Sequence, residues 1–175
     1  MTNPALAIAV PFVAQFERFV PAPYHGTADR PGVWSIGYGF THMADGSAVS
    51  ADTPPMTQAE ADGRLGELLA DLLVSIRRIV RVRITDHMAA ALASFAYNTG
   101  LGDLERSTLL SRLIAGSPTR AAECFPSWVY ANGVVVPGLV RRRAAEKALF
   151  LTPNGAAGPG ATNPEPAAPA SPKGI

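Results

Sequence analysis

The stretch Phe16–Thr41, FERFVPAPYHGTADRPGVWSIGYGFT, decides how this chain is read. It packs a lone glutamate, an aspartate, a small hydroxyl residue and a Gly-aromatic-Gly turn into one short span. Glu17 closes an apolar segment that runs from Ala5 to Phe19. Asp29 lies in a loop rich in Gly and Pro, and Ser35 opens the run SIGYG. A carboxyl with an apolar flank and a second carboxylate in a wet loop are the pair that acid-assisted hydrolysis needs. One such group keeps its proton near neutral pH while the other stays charged.

The rest of the chain bounds this reading. Its 175 residues, 47% apolar and 17% charged, suffice for one domain with a real core. A net charge of +1 gives no reason to expect a nucleic-acid partner. The single cysteine, Cys124, excludes an internal disulfide and reads as a small buried hydrophobe. The three histidines, His25, His42 and His87, are scattered, so no metal site and no cysteine-hydrolase pairing is expected. Gly37-Tyr38-Gly39 lacks the third glycine and following helix of a nucleotide loop. No uninterrupted apolar run is long enough to span a bilayer, so no stable membrane insertion is expected. The apolar N-terminus has no Lys or Arg ahead of it and contains Pro4 and Pro11. It reads as an ordinary first helix rather than a secretion signal.

Around the opening stretch the pattern is mostly helical. Pro11 suits a first-turn position, with Phe12, Phe16, Phe19 and Val20 at helical spacing, so a first helix is expected over 11–20, ended by Pro21 and Pro23. Residues 24–49 predict a small hairpin or three-stranded sheet. Thr57 with Glu60 is a capping box opening a long helix that ends in Arg77, Arg78, Arg81 and Arg83. Those arginines read as a solvated face, with contact to an anionic polymer as the other reading. Thr85-Asp86 opens a helix that Gly100 closes, Ser107 caps another, Ser117-Pro118 a further short one, and Pro137-Gly138 precedes the last, over 139–151. Trp128 to Gly133 reads as an aromatic turn. From Thr152 onward the composition turns to Pro, Ala, Gly, Asn and Ser, which predicts a disordered tail over 152–175 behind a domain over 1–151.

Four motifs in order then resemble one family. Glu17, Tyr24, Asp29, Gly32 and the run Trp34 to Gly39 resemble the active-site region of the phage T4-type lysozymes, the family 24 muramidases. Ala90 to Gly100 (AALASFAYNTG) resembles that family's A-L-x-S-F-x-x-N-x-G segment, and Ser107 to Leu110 its S-T-L-L. Phe125 to Trp128, with Pro137 to Glu146, resembles its F-x-x-W and G-L-x-x-R-R-x-x-E. The resemblance spans residues 12–151. Three positions depart from it: Ser35 replaces a threonine, Phe40 replaces a histidine, and three extra residues lie between Tyr24 and Asp29.

The resemblance implies an α+β, mainly α, two-lobe fold. A small β-hairpin lobe would be joined by the long helix to a helical C-terminal lobe. It implies a muramidase that hydrolyses the β-1,4 bond from N-acetylmuramic acid to N-acetylglucosamine, with inversion and without cofactor. Glu17 would be the general acid and Asp29 the group that stabilises the oxocarbenium-like transition state or orients water. Ser35 would hold that water. Asn98 would line the saccharide site or cap its helix, and Tyr24 would touch substrate. From their charge, Arg142 and Arg143 read as a brace on the first helix, with substrate binding as the other reading. The implied partner is the peptidoglycan glycan strand, met by a monomer. It would be delivered from the host cytoplasm to the periplasm or wall through a holin-type pore or host lysis, or else secreted. A non-catalytic peptidoglycan-binding or virion-structural module on the same fold is the rival reading.

Overall fold

The computed structural model describes residues 3–25 and 32–153. Helix α1 spans Pro4–Ala14, β1 Val20–His25, β2 Trp34–Gly37, α2 Gln58–Val80, α3 Asp86–Thr99 and α4 Leu101–Arg106. Helices α5 Thr108–Ile114 and α6 Pro118–Ala122 follow. A 3-10 turn at Phe125–Ser127, β3 Tyr130–Ala131, β4 Val134–Val135 and α7 Pro137–Phe150 complete the order. The chain is mainly helical with two small antiparallel strand pairs, as expected. The expected tail lies outside the described residues, apart from Thr152 and Pro153.

The first helix begins a full two turns earlier than its sequence suggests. Pro4 occupies its first turn and Pro11 sits inside it. An interior proline removes one N–H and frees the carbonyl four residues back, on Ala7. Both Pro11 and Ala7 face solvent, which leaves that side of the helix open to water. Ala5, Ala9, Phe12 and Val13 form the buried stripe. The helix stops at Ala14, which leaves Phe16 to Phe19 as a turn and connector rather than helix.

Val20–His25 is a strand despite Pro21 and Pro23. It pairs with β2 through Val20↔Gly37, Tyr24↔Ser35 and His25↔Trp34, with an irregularity between Val20 and Tyr24 that contains both prolines. In a two-stranded pair each strand has a free edge, where a missing N–H costs no ladder bond. The outer edge is used by the Pro21 carbonyl, which accepts from Met56 N at 2.9 Å. No third strand forms among the described residues; the Ile36↔Phe40 and His42↔Ala48 bridges stand alone.

The Gly-aromatic-Gly turn needs both glycines. Gly37 has φ +63°, and a Cβ there would sit 2.7 Å from the Phe40 ring and 2.8 Å from Met56 Sδ. Gly39 has φ +85°. Phe40 is buried and meets Tyr38 edge-on, with ring centroids 6.2 Å apart. An apolar ring packs this turn where the resembling family carries an imidazole.

Helix α2 links this turn to the helical body. Both arms of its capping box form: Glu60 N donates to Thr57 Oγ1, and Thr57 N donates to Glu60 Oε2 at 2.7 Å. Leu65, Leu69, Leu73, Ile76 and Val80 give it one buried stripe. Near its start Asp62 accepts from Tyr38 Oη at 2.6 Å, and Gln58 bonds the same hydroxyl. Helix α3 is the central element, packed against α1, α2 and α7 and buried almost all round from Ala89 to Tyr97. Its alanines allow that close approach, and an all-round buried helix needs no polar face. Phe95 meets Phe125 and Trp128 edge-on, and Phe125 meets Phe150, tying α3 to α7. The predicted aromatic turn is a hairpin. Asn132 and Gly133, both with positive φ, make its two-residue turn. The short helix α4, unpredicted because its six residues hold too few apolar positions to show a period, fills the space after Gly100.

Candidate active site

Glu17 lies in the turn after α1, its N–H donating to Ala14 O at 3.3 Å. Its side chain is 16% exposed, and Oε1 accepts from Arg142 Nη1 at 2.7 Å. Arg142 comes from α7, 125 residues away in sequence, so the bond closes only when α7 docks on α3. Glu17 Oε2 has no hydrogen-bond partner among the described residues. The carboxylate is thus gripped on one oxygen and open on the other.

Behind that contact lies a buried polar cluster. Arg142 is 2% exposed, Arg143 0% and Glu146 0%. Arg142 Nε donates to Glu146 Oε1 at 3.1 Å, and its Nη2 donates to the Ser94 carbonyl at 3.1 Å. Ser94 Oγ donates to Glu146 Oε1 at 2.7 Å. Arg143 Nη1 lies 2.7 Å from Glu146 Oε2, and its Nη2 bonds Asn98 Oδ1. The guanidinium carbons of Arg142 and Arg143 stand over the Phe16 and Phe95 rings, at 5.4 and 4.9 Å from the centroids. Burial pushes the Glu146 carboxyl up, and the two arginines only partly pull it back. Burial works to lower Arg142, but the carboxylates of Glu17 and Glu146 outweigh it and raise the guanidinium. Arg143 lacks the Glu17 contact, and burial lowers it to about 10.

Tyr24 and Ser35 face each other across the β1–β2 ladder, which places their side chains on the same side of the pair. Tyr24 is half-buried, and burial, then the charge of Glu17, raise its phenol. The charge of Glu17 is thus felt at Tyr24. The Tyr24 hydroxyl also lies over Gly39, 3.9 Å from where a Cβ would be. Ser35 is buried, and its hydroxyl bonds no other described residue. Tyr97 of α3 donates to the Tyr38 carbonyl at 3.3 Å. Its phenol is raised by burial first and by Glu17 next, so it belongs to the same neighbourhood.

The structure therefore brings together Glu17, Tyr24 and, through the ladder, Ser35. Asp29 lies outside the described residues. Asn98 is only partly buried, and its amide oxygen is taken by Arg143 rather than by a helix cap. Arg142 braces Glu17, just past the end of the first helix, whereas Arg143, expected to share that role, bonds Glu146 and Asn98 of α7 and α3 instead. Ser94, Tyr97 and Glu146 were missed as site residues. The signal that could have found Glu146 is its spacing, four residues after Arg142 and three after Arg143, which puts all three on one helix face. No group of three or more metal-ligating side chains occurs among the described residues.

The profile of the phage lysozyme family matches residues 14–146. The chain belongs to that family. It is 36% identical over 122 residues to an endolysin of Bacillus phage B103, covering 68% of this chain and 43% of that protein. It therefore spans less than half the length of that relative. It is 32% identical over 123 residues to a SAR-endolysin of Enterobacteria phage P21, covering 70% of this chain and 72% of that one. Among solved structures, the muramidase domain of SpmX from Asticaccaulis excentricus superposes with a TM-score of 0.71 at 32% identity, covering 83% of this chain and 95% of that domain.

Proposed function

We propose that the chain is a muramidase that hydrolyses the β-1,4 bond between N-acetylmuramic acid and N-acetylglucosamine in peptidoglycan. The observation that carries this reading is the half-gripped Glu17 carboxylate, held by Arg142 on one oxygen beside the Tyr24–Ser35 face. As general acid, Glu17 delivers a proton from its open oxygen to the glycosidic oxygen as the bond breaks. The ion pair with Arg142 fixes the carboxylate plane, so the proton is presented in one direction. Ser35 holds the attacking water through its uncommitted hydroxyl. Asp29, by family resemblance, is the second carboxylate, stabilising the oxocarbenium-like transition state or orienting that water. Water attack on the face opposite the leaving group inverts the anomeric centre. Tyr24 and Asn98 contact the saccharide, and no cofactor is involved.

The protein acts as a monomer on the wall side of the cytoplasmic membrane. Among the described residues no helix is long and apolar enough to cross a membrane. Passage through a partner's pore, host lysis or secretion brings it to its substrate, and cell fractionation during lysis distinguishes these routes.

The test is mass analysis of products released from purified peptidoglycan. New reducing ends at muramic acid support the reading, whereas anhydro-muramic products identify a lytic transglycosylase instead. Glu17→Gln keeps the shape of the side chain and removes the transferable proton. It should cut the turbidity-loss rate by about 10²–10⁴-fold. An unchanged rate removes Glu17 from the role of general acid, and no rate in either protein points to a non-catalytic module.

A further inference from the structure

One feature of the chain has no part in hydrolysis. Helix α2 ends in Arg77 and Arg78, and Arg81 and Arg83 follow it directly. All four are exposed, and none forms an ion pair or hydrogen bond among the described residues. Val74, Arg77, Arg78 and Arg81 fall at i, i+3, i+4 and i+7, one stripe of the helix surface outside its buried stripe. Val74 is 50% exposed and Val82 38%. No carboxylate occurs from Leu72 to Thr85; Asp71 and Asp86 flank the stretch. Without these four arginines the chain would carry three net negative charges instead of one positive. The positive charge is therefore gathered at one corner of the molecule.

A second observation points the same way. Arg81 closes α2 in the left-handed conformation, φ +55° and ψ +7°. Glycine takes this cap position without a Cβ clash, and a larger side chain adopts it only at a cost. Placing an arginine there spends stability on a charge aimed into solvent.

We infer that this corner is a docking surface for an anionic lipid bilayer. Arginines at i+3, i+4 and i+7 of this stripe reach phosphate oxygens with paired N–H groups. The two exposed valines, Val74 one turn ahead of the arginines and Val82 among them, suit the headgroup–acyl boundary, where a basic helix face with small apolar residues settles. A soluble anionic polymer would satisfy the arginines and leave the valines in water, so the valines favour a bilayer. The contact is peripheral, consistent with the lack of a spanning helix among the described residues. It does not depend on whether the chain hydrolyses glycan.

The test is co-sedimentation with large vesicles of phosphatidylcholine, with and without phosphatidylglycerol, at low and high salt. Binding should require phosphatidylglycerol and weaken as salt rises. Arg77→Gln, Arg78→Gln, Arg81→Gln and Arg83→Gln together should lower the partition coefficient by about a hundredfold or more, from about fivefold per arginine. Val74→Ser with Val82→Ser should weaken it several-fold, while retention on a soluble polyanion such as heparin stays unchanged. Circular dichroism of each variant confirms its fold, so a folding failure is separable from lost binding. Absence of binding to phosphatidylglycerol vesicles overturns the inference. So does vesicle binding that is indifferent to the valines, since the surface then reads polyanions in general.

Discussion

Two groups of arginines mark opposite regions of this molecule. Arg142 and Arg143 lie inside it, against a carboxylate and an aromatic ring each. Arg77, Arg78, Arg81 and Arg83 lie outside it with no partner among the described residues. In sequence the two runs look alike. The difference is Glu146, one helical turn beyond the buried pair, against a stretch of fourteen residues with no acid around the exposed group. A guanidinium cannot enter the interior without an anion, because desolvation is worth several kcal/mol per ion. Where the anion is supplied the arginine becomes part of the site, and where it is withheld the arginine remains free to meet something else.

The sharpest way to break this comparison is to remove the buried anion. Glu146→Ala leaves two cations and the Ser94 hydroxyl without their common acceptor. It should cost about 3–5 kcal/mol of unfolding free energy, measured by urea denaturation. The cost should persist in high salt, since buried pairs are poorly screened. Replacing all four exposed arginines by glutamine should cost only about 1 kcal/mol, from lost interaction with the negative end of α2. A similar cost for the two sets would mean that the Glu146 cluster is wet rather than buried.

The same contrast extends to phenols. Tyr38 is buried beside Asp62, and burial first, then its bond to that carboxylate, raise it from 10.0 to about 12. A group whose folded value is raised contributes stability below its unfolded value and loses it as pH climbs through the folded one. Stability should therefore decline between about pH 10 and about pH 12, by up to about 3 kcal/mol from this group. Tyr38→Phe should be less stable at neutral pH by about 1 kcal/mol, the usual worth of a hydrogen bond, and should decline less steeply. Denaturant midpoints taken along a pH series check both.

Local rules read well in this sequence, and long-range ones did not. The Thr57–Glu60 box, the Thr85 and Ser107 caps and the two glycines around Tyr38 each sit within a few residues of what they satisfy. Pro11 misled because a proline inside a helix is tolerated only when its freed carbonyl reaches water, which depends on the helix's orientation in the fold. The prolines of β1 misled for the same reason, since a two-stranded pair leaves an edge that only topology reveals. Of the site, Glu17 was legible from its apolar flank and its motif. Ser94, Tyr97 and Glu146 were not, because they act through contacts that form only when α3, α7 and the hairpin turn come together.

Arg81 offers the finest test, because one side chain serves both sides of the comparison. As a cap, it holds a left-handed conformation that glycine adopts without strain. As a charge, it ends the exposed stripe. Arg81→Gly should therefore raise the thermal midpoint slightly, by about 0.5 kcal/mol of stability, since relief of the Cβ clash exceeds the added freedom of the unfolded chain. In the same variant the affinity for anionic vesicles should drop about fivefold. The two effects run in opposite directions, which a general loss of structure cannot produce. If stability falls and vesicle affinity holds, the side chain at this position serves the helix end, and the exposed group is a solvated face after all.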